Sequence, residues 1–163
     1  MDAQSLNALN AVLTRQVEAA RALDQLLARE RGLLTGEDAA AVEAIASEKA
    51  ALLNRIEALE TDRRQVLAIA GLGVNGAAME RLTRSQSPLL GAALTETGRL
   101  WSALVAAMER CREGNDVNGA IVGLRQRQVR QLLNMLRTGR EDELTYGPTG
   151  RPGSGAARGL ARA

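Results

Sequence analysis

The feature that most constrains this chain is a seam of nine residues, Val42, Ile45, Lys49, Leu52, Ile56, Leu59, Arg63, Val66 and Ala70, spaced in alternating steps of three and four. Such spacing keeps one stripe on one side of a helix over about four heptads, the pattern of coiled-coil packing. A helix is therefore predicted from about Asp38 to Ala70. Lys49 and Arg63 occupy seam positions, so their stems are expected to lie along the seam while their charges reach its edge. A ligand site and a role in fixing register are the alternatives.

The preceding stretch, Ala3 to about Leu34, has no Pro and no Gly before Gly32. Leu6, Leu9, Leu13, Val17, Ala20, Leu23, Leu27 and Leu34 form its apolar stripe, which predicts a helix of roughly 45–50 Å. Between the two helices, Thr35-Gly36-Glu37-Asp38 supplies a stop and a restart, with Gly36 expected in the left-handed conformation and the acidic residues favouring the next N-terminus. So short a connection makes an antiparallel α-hairpin over residues 3–70. Composition agrees: Leu and Ala dominate an apolar content of 45%, Phe is absent, and Trp101 and Tyr146 are the aromatic residues. Helix formers of this kind, without the β-branched and aromatic residues of strands, point to an all-α protein.

Beyond the hairpin, three glycines fall between Gly71 and Gly76. No Gly-Lys-Ser/Thr follows and no strand flanks them, so a flexible connector is expected rather than a phosphate loop. A short helical piece, about Ala77 to Arg84, leads to a third helix over 89–112, with Leu90, Leu94, Trp101, Leu104, Val105 and Met108 inward and Trp101 as a core anchor. A fourth helix is predicted over 116–137. At 100° per residue, Val117, Ile121, Val122, Leu124, Val129, Leu132, Leu133, Met135 and Leu136 fill about half its circumference, interrupted by Arg125 and Gln128. Gln126, Arg127, Arg130, Gln131, Asn134 and Arg137 make the opposite face. So wide an arc either sits in a deep groove of its own bundle or leaves part of itself for a partner. Residues 1–140 are thus read as an irregular helical bundle, and 141–163, rich in Gly, Pro, Ala and Arg, as a flexible tail too poor in apolar mass to order.

Chemistry is narrowed by what is missing. Without His there is no Ser-His-Asp triad, no Cys-His dyad and no imidazole metal site, and no catalytic residue, metal or cofactor is expected. Glu141 and Glu143 fall in the tail, and Glu57 and Glu60 read as ordinary surface charges. Cys111 stands near a predicted helix end among arginines, which would lower its pKa, but with no base beside it a structural role is expected. The net charge of +2 rests on the tail arginines Arg151, Arg158 and Arg162, without which the balance is about −1. The other arginines alternate with acids as on a solvated helix face, so nucleic acid is not an expected partner. No basic start with an apolar run and no apolar stretch of about 20 residues occurs, so a cytoplasmic chain with no membrane insertion is expected.

Three stretches taken in order resemble the FlgN family of flagellar type III export chaperones. Ile45-Ala-Ser-Glu-Lys-Ala-Ala-Leu-Leu-Asn-Arg-Ile56, running on to Arg63, is similar to its Glu-Lys-x-x-Leu-Leu segment with a later Arg. Asn115-Asp-Val-Asn-Gly-Ala-Ile121 is similar to its Asn-x-x-Asn-Gly, and Leu144-Thr-Tyr-Gly-Pro-Thr-Gly150 to its Tyr-Gly-x-x-Gly. The resemblance implies a non-enzymatic chaperone that binds the C-terminal segments of the hook-associated proteins FlgK and FlgL and prevents their premature assembly. It would deliver them to the export-gate protein FlhA, acting in the cytoplasm and transiently at the inner-membrane export apparatus. It places cargo capture on the arc from Val117 to Leu136 and gate docking on Tyr146 and Gly147, with weak homo-oligomerisation expected where the arc is uncovered. A self-associating structural coiled coil and a chaperone of a virulence secretion substrate are the alternatives.

Overall fold

A computed structural model of the protein describes residues 1–36, 38–85 and 90–145, and for Leu136 and residues 138–145 the backbone alone. Four helices and no strand occur among the described residues: α1 (Ala3–Leu34), α2 (Ala39–Ile69), α3 (Gly76–Arg84) and α4 (Gly91–Thr145). The all-α class and the helical bundle expected from the sequence are what is observed. The chain divides into two compact units, Met1–Val122 and Gly123–Ala163, and α4 passes from one into the other.

Capping side chains start the first three helices. Asp2, Asp38 and Asn75 each accept a hydrogen bond from a backbone N–H three residues on, at 2.8, 3.0 and 2.9 Å, satisfying a donor that the first helical turn leaves free. That bond holds the Asp2 carboxyl below its ordinary pKa. The α1 end differs from expectation, because Gly36 is not left-handed: Gly71, at φ +69°, is the glycine with positive φ among the described residues. At Gly36 the stop comes instead from Thr35, whose hydroxyl donates to the Gly32 carbonyl, and from the Gly36 N–H, which donates to Leu33. At the end of α2, Gly71 N–H reaches the Ala68 carbonyl and Leu72 N–H the Leu67 carbonyl, the paired bonds of a Schellman cap. The glycine-rich connector is thus a helix stop followed at Asn75 by a helix start.

Cross-helix pairs give the directions. Glu30 meets Lys49, Gln16 meets Glu60 and Arg15 meets Asp62, so α1 and α2 are antiparallel. Asn10 meets Thr97, Ala20 meets Cys111 and Leu27 meets Asn118, so α4 runs parallel to α1. All eight stripe residues of α1 are buried, together with Gln16, Ala19 and Leu26, because α1 is covered by α2 on one side and α4 on the other. The nine seam residues of α2 are buried or half-buried. One core cluster joins Leu6, Leu9 and Leu13 to Leu67, Met79, Leu94 and Leu104; a second joins Leu23, Leu26 and Leu27 to Ile45 and Cys111.

Two sequence expectations about α4 are corrected. The third and fourth predicted helices are one helix, with Glu113, Gly114 and Asn115 in its interior. Residues that would usually mark a break are here turned toward α1: a Cβ at Gly114 would lie 3.5 Å from Leu27 Cβ, and Asn118 donates to the Leu27 carbonyl at 2.9 Å. The inward face is also rotated. Leu94 and Leu104 are buried as expected, but Val105 and Met108 are exposed, and Thr97, Leu100, Ala107, Cys111 and Asn118 take the inward positions. Small and polar members made that face hard to see.

Candidate functional site

Two of the stretches that carried the family resemblance come together in the first unit. Lys49 Nζ donates to both carboxylate oxygens of Glu30, at 3.2 and 3.0 Å, and to Asn115 Oδ1 at 2.9 Å. Asn118 Nδ2 donates to Glu30 Oε2 at 2.7 Å, and Arg31 Nε donates to Asn118 Oδ1 at 3.2 Å. Glu30 therefore joins Lys49 of α2 to Asn118 of α4, while Asn115 meets Lys49 directly. This charge-assisted network fixes the register of three helices where apolar side chains alone would allow sliding. Lys49 behaves broadly as the seam argument expects, with its stem partly covered and its ammonium at the edge.

Arg63 does not. It is 4% exposed, and its charge stays inside, held by Nε and Nη2 against the two oxygens of Glu60 at 3.0 and 2.7 Å. Its guanidinium also lies 5.3 Å from the centroid of the Trp101 ring, within cation–π range. Glu60, expected to be an ordinary surface charge, is half-buried and accepts further bonds from Arg64 and Gln16. Burial by itself would raise the Glu60 pKa. Hydrogen bonds from Arg63, Arg64 and Gln16 and the charge of Arg63 outweigh it and hold the carboxyl below its ordinary value. Two atoms of this cluster, Arg63 Nη1 and Gln16 Oε1, are buried with no protein partner. Leaving such a group unpaired ordinarily costs about 1–3 kcal/mol. The cluster opens on a cavity of about 570 Å³ walled by Ile56 of α2 and by Trp101, Leu104, Val105 and Met108 of α4.

The residues predicted for cargo capture all lie on α4. Val117 and Val122 are exposed and Ile121 half-buried in the first unit; in the second, Leu124, Val129, Leu132, Leu133 and Met135 are exposed, Met135 reaching 68%. Leu136 is helical, with its side chain outside the described part. Tyr146, Gly147 and the predicted tail from residue 146 onward also lie outside the described residues, while α4 itself runs on to Thr145. For catalysis the described residues offer little. No group of three or more His, Cys, Asp or Glu residues among them could hold a metal ion. Cys111 is buried, its thiol donating to the Ala20 carbonyl at 3.2 Å. Burial, with Asp24 adding to it, pushes the thiol pKa up despite Arg110, the reverse of the lowering expected from nearby arginines. No helix among the described residues is long and apolar enough to cross a membrane.

Residues 1–154 match the family described as FlgN protein. The chain belongs to the FlgN family. Members of this family are flagellar export chaperones that bind export substrates and are not enzymes, so this chain's helical bundle is that of an export chaperone. No curated protein and no solved structure matches the chain. The residues that sequence reasoning missed are Gln16 and Glu30, whose partners are distant in sequence, and Glu60, whose arginine partners are three and four residues on but whose bond from Gln16 crosses to α1. The one available signal was the presence of Lys49 and Arg63 on an apolar seam, since buried cations require acceptors.

Proposed function

We propose that this FlgN-family chaperone works in the cytoplasm on the C-terminal segments of the hook-associated proteins FlgK and FlgL, capturing them on the apolar residues of α4 from Val117 to Leu136. The observation that carries this reading is the exposure of Leu124, Val129, Leu132, Leu133 and Met135 on one helix. A soluble domain rarely leaves so many large apolar side chains together without a partner. An amphipathic cargo segment folding onto them would bury its own assembly surface, and the entropy lost in ordering it would keep the complex releasable. No nucleotide is needed for that step. By motif match, Tyr146 and Gly147 dock the loaded chaperone on FlhA at the inner-membrane export apparatus, Tyr146 serving as an aromatic anchor.

Co-purification of the full-length chain with the C-terminal segments of FlgK and FlgL from the same genome tests the cargo assignment. Leu124→Asp and Leu132→Asp should each weaken binding by about tenfold or more, because each leaves a carboxylate in an apolar contact. Normal binding by folded variants would place cargo elsewhere. Tyr146→Ala should keep cargo binding and reduce capture by FlhA; unchanged capture would remove Tyr146 from the docking role.

A further inference from the structure

Acids and arginines are interleaved along the chain as far as Asp116, and the interleaving then stops: between Asp116 and Glu141 there is no acid. In the second unit the stretch Leu124–Met135 carries Arg125, Arg127 and Arg130, and every one of its residues is exposed. Arg137 is placed differently, with Glu141 four residues on at the spacing of a helical ion pair.

Position on α4 gives the three charges a pattern. At 100° per residue the exposed apolar arc runs about 180° from Leu124 to Leu133, through Met135, Leu132 and Val129. Arg125 falls near the middle of it. Arg127 lies about 60° beyond the Leu124 edge, and Arg130 about 60° beyond the Leu133 edge. An arginine stem is long enough to bring its guanidinium back to the rim of whatever covers the arc. This face therefore presents one cation inside its apolar surface and one along each border, with no acid among them.

Charge decides between occupants. A second copy of the same face would set arginine against arginine. A lipid bilayer would supply phosphates at both borders, but its hydrocarbon offers neither donor nor acceptor to Arg125 and Gln128, which lie within the arc. A helix with carboxylates in and beside its apolar stripe meets all three cations with charge-assisted hydrogen bonds.

Resting on the cargo reading given above, we propose that the export segment captured on α4 is an acidic amphipathic helix, with one carboxylate inside its apolar stripe opposite Arg125 and one on each border for Arg127 and Arg130. The apolar contacts hold the segment. The arginines select it, because each exposed ion pair adds little while a like charge at the same place is penalised.

Two synthetic peptides of about five helical turns test this with the full-length chain, read by fluorescence anisotropy of a dye on the peptide. Both carry one leucine stripe at helical spacing; one has Glu at the three positions named, the other Gln. The Glu peptide should bind about tenfold tighter. Raising salt from about 50 to 500 mM should weaken the Glu peptide and leave the Gln peptide nearly unchanged. Changing Arg125, Arg127 and Arg130 together to Gln, a comparable helix former, should bring the two peptides within about threefold of each other. Leu132→Asp should weaken both by about tenfold or more. Equal binding of the two peptides by the unaltered chain, or a Glu preference that survives the triple change, would overturn the acidic selection and leave the apolar cargo face standing. A Glu peptide that binds Leu132→Asp normally would overturn both. Failure of both peptides to bind would also overturn the proposal, and capture of phosphatidylglycerol vesicles in that case would assign the face to a membrane; co-purification with the FlgK and FlgL segments then judges the cargo reading separately.

Discussion

The two stretches of α4 invert the usual relation between composition and burial. In the first unit its covered face includes Thr97, Ala107, Cys111, Gly114 and Asn118, small or polar residues set among a few leucines. In the second unit Leu124, Val129, Leu132, Leu133 and Met135 stand exposed. The stretch with the better apolar residues is the exposed one. Burial of a helix face is decided by the surface that meets it. Against α1, close approach and cross-helix hydrogen bonds suit small side chains and asparagines, while the large apolar side chains of the second unit are the ones on which cargo capture is proposed.

The sharpest way to break that comparison is to shorten one leucine on each surface. Leu27 is buried against Gly114 of α4 and within the cluster containing Ile45 and Cys111, so Leu27→Ala removes core contacts and leaves a cavity. Urea unfolding should show a loss of about 2–5 kcal/mol. Leu132→Ala, on an exposed side chain, should change stability by less than about 0.5 kcal/mol. Similar losses at the two positions would mean that the second surface is as much a part of the folded core as the first.

Asn118→Ala tests the polar part of the covered face and should have the next largest effect. It removes the donor to the Leu27 carbonyl and to Glu30 and the acceptor for Arg31, leaving those groups in a partly buried site. A loss of about 1–3 kcal/mol is expected. A variant as stable as the unaltered chain would show that the α1–α4 register is set by apolar packing alone.

How much could be read from the sequence follows the same division. The α1 stripe and the α2 seam were legible because their members are large, apolar and regularly spaced, and their burial follows that spacing. The covered face of α4 was not. Apolarity pointed to Val105 and Met108, which line a groove, and missed Ala107, Cys111 and Asn118, whose positions depend on the shape of α1. The Glu113-Gly114-Asn115 stretch resembled a stop because Gly and Asn lack helix propensity, but tertiary contacts offset a weak local preference. Arg63 was placed on the seam correctly and its charge wrongly, since a bidentate acceptor three residues earlier and the Trp101 ring let it stay inside. The exposed apolar residues of the second unit lay within the arc read from the sequence. Their exposure could not be deduced from it, because a wide arc suits a deep groove equally well.

The smallest expected effect separates a helix interior from a break. Gly114 lies within α4, at a negative φ, where a Cβ would meet Leu27 Cβ at 3.5 Å, an ordinary van der Waals distance. Alanine therefore fits without displacing α1. Gly114→Ala should stabilise the chain by about 0.5–1 kcal/mol, because alanine loses less backbone entropy than glycine in a helix. A residue with a longer side chain would push against Leu27 and Arg31, so Gly114→Leu should reverse the sign. The pair of variants matters more than either alone. A break at this position would tolerate both with little change, whereas a helix packed on α1 requires a gain from the first and a loss from the second, measured as opposite shifts of the urea midpoint at unchanged slope.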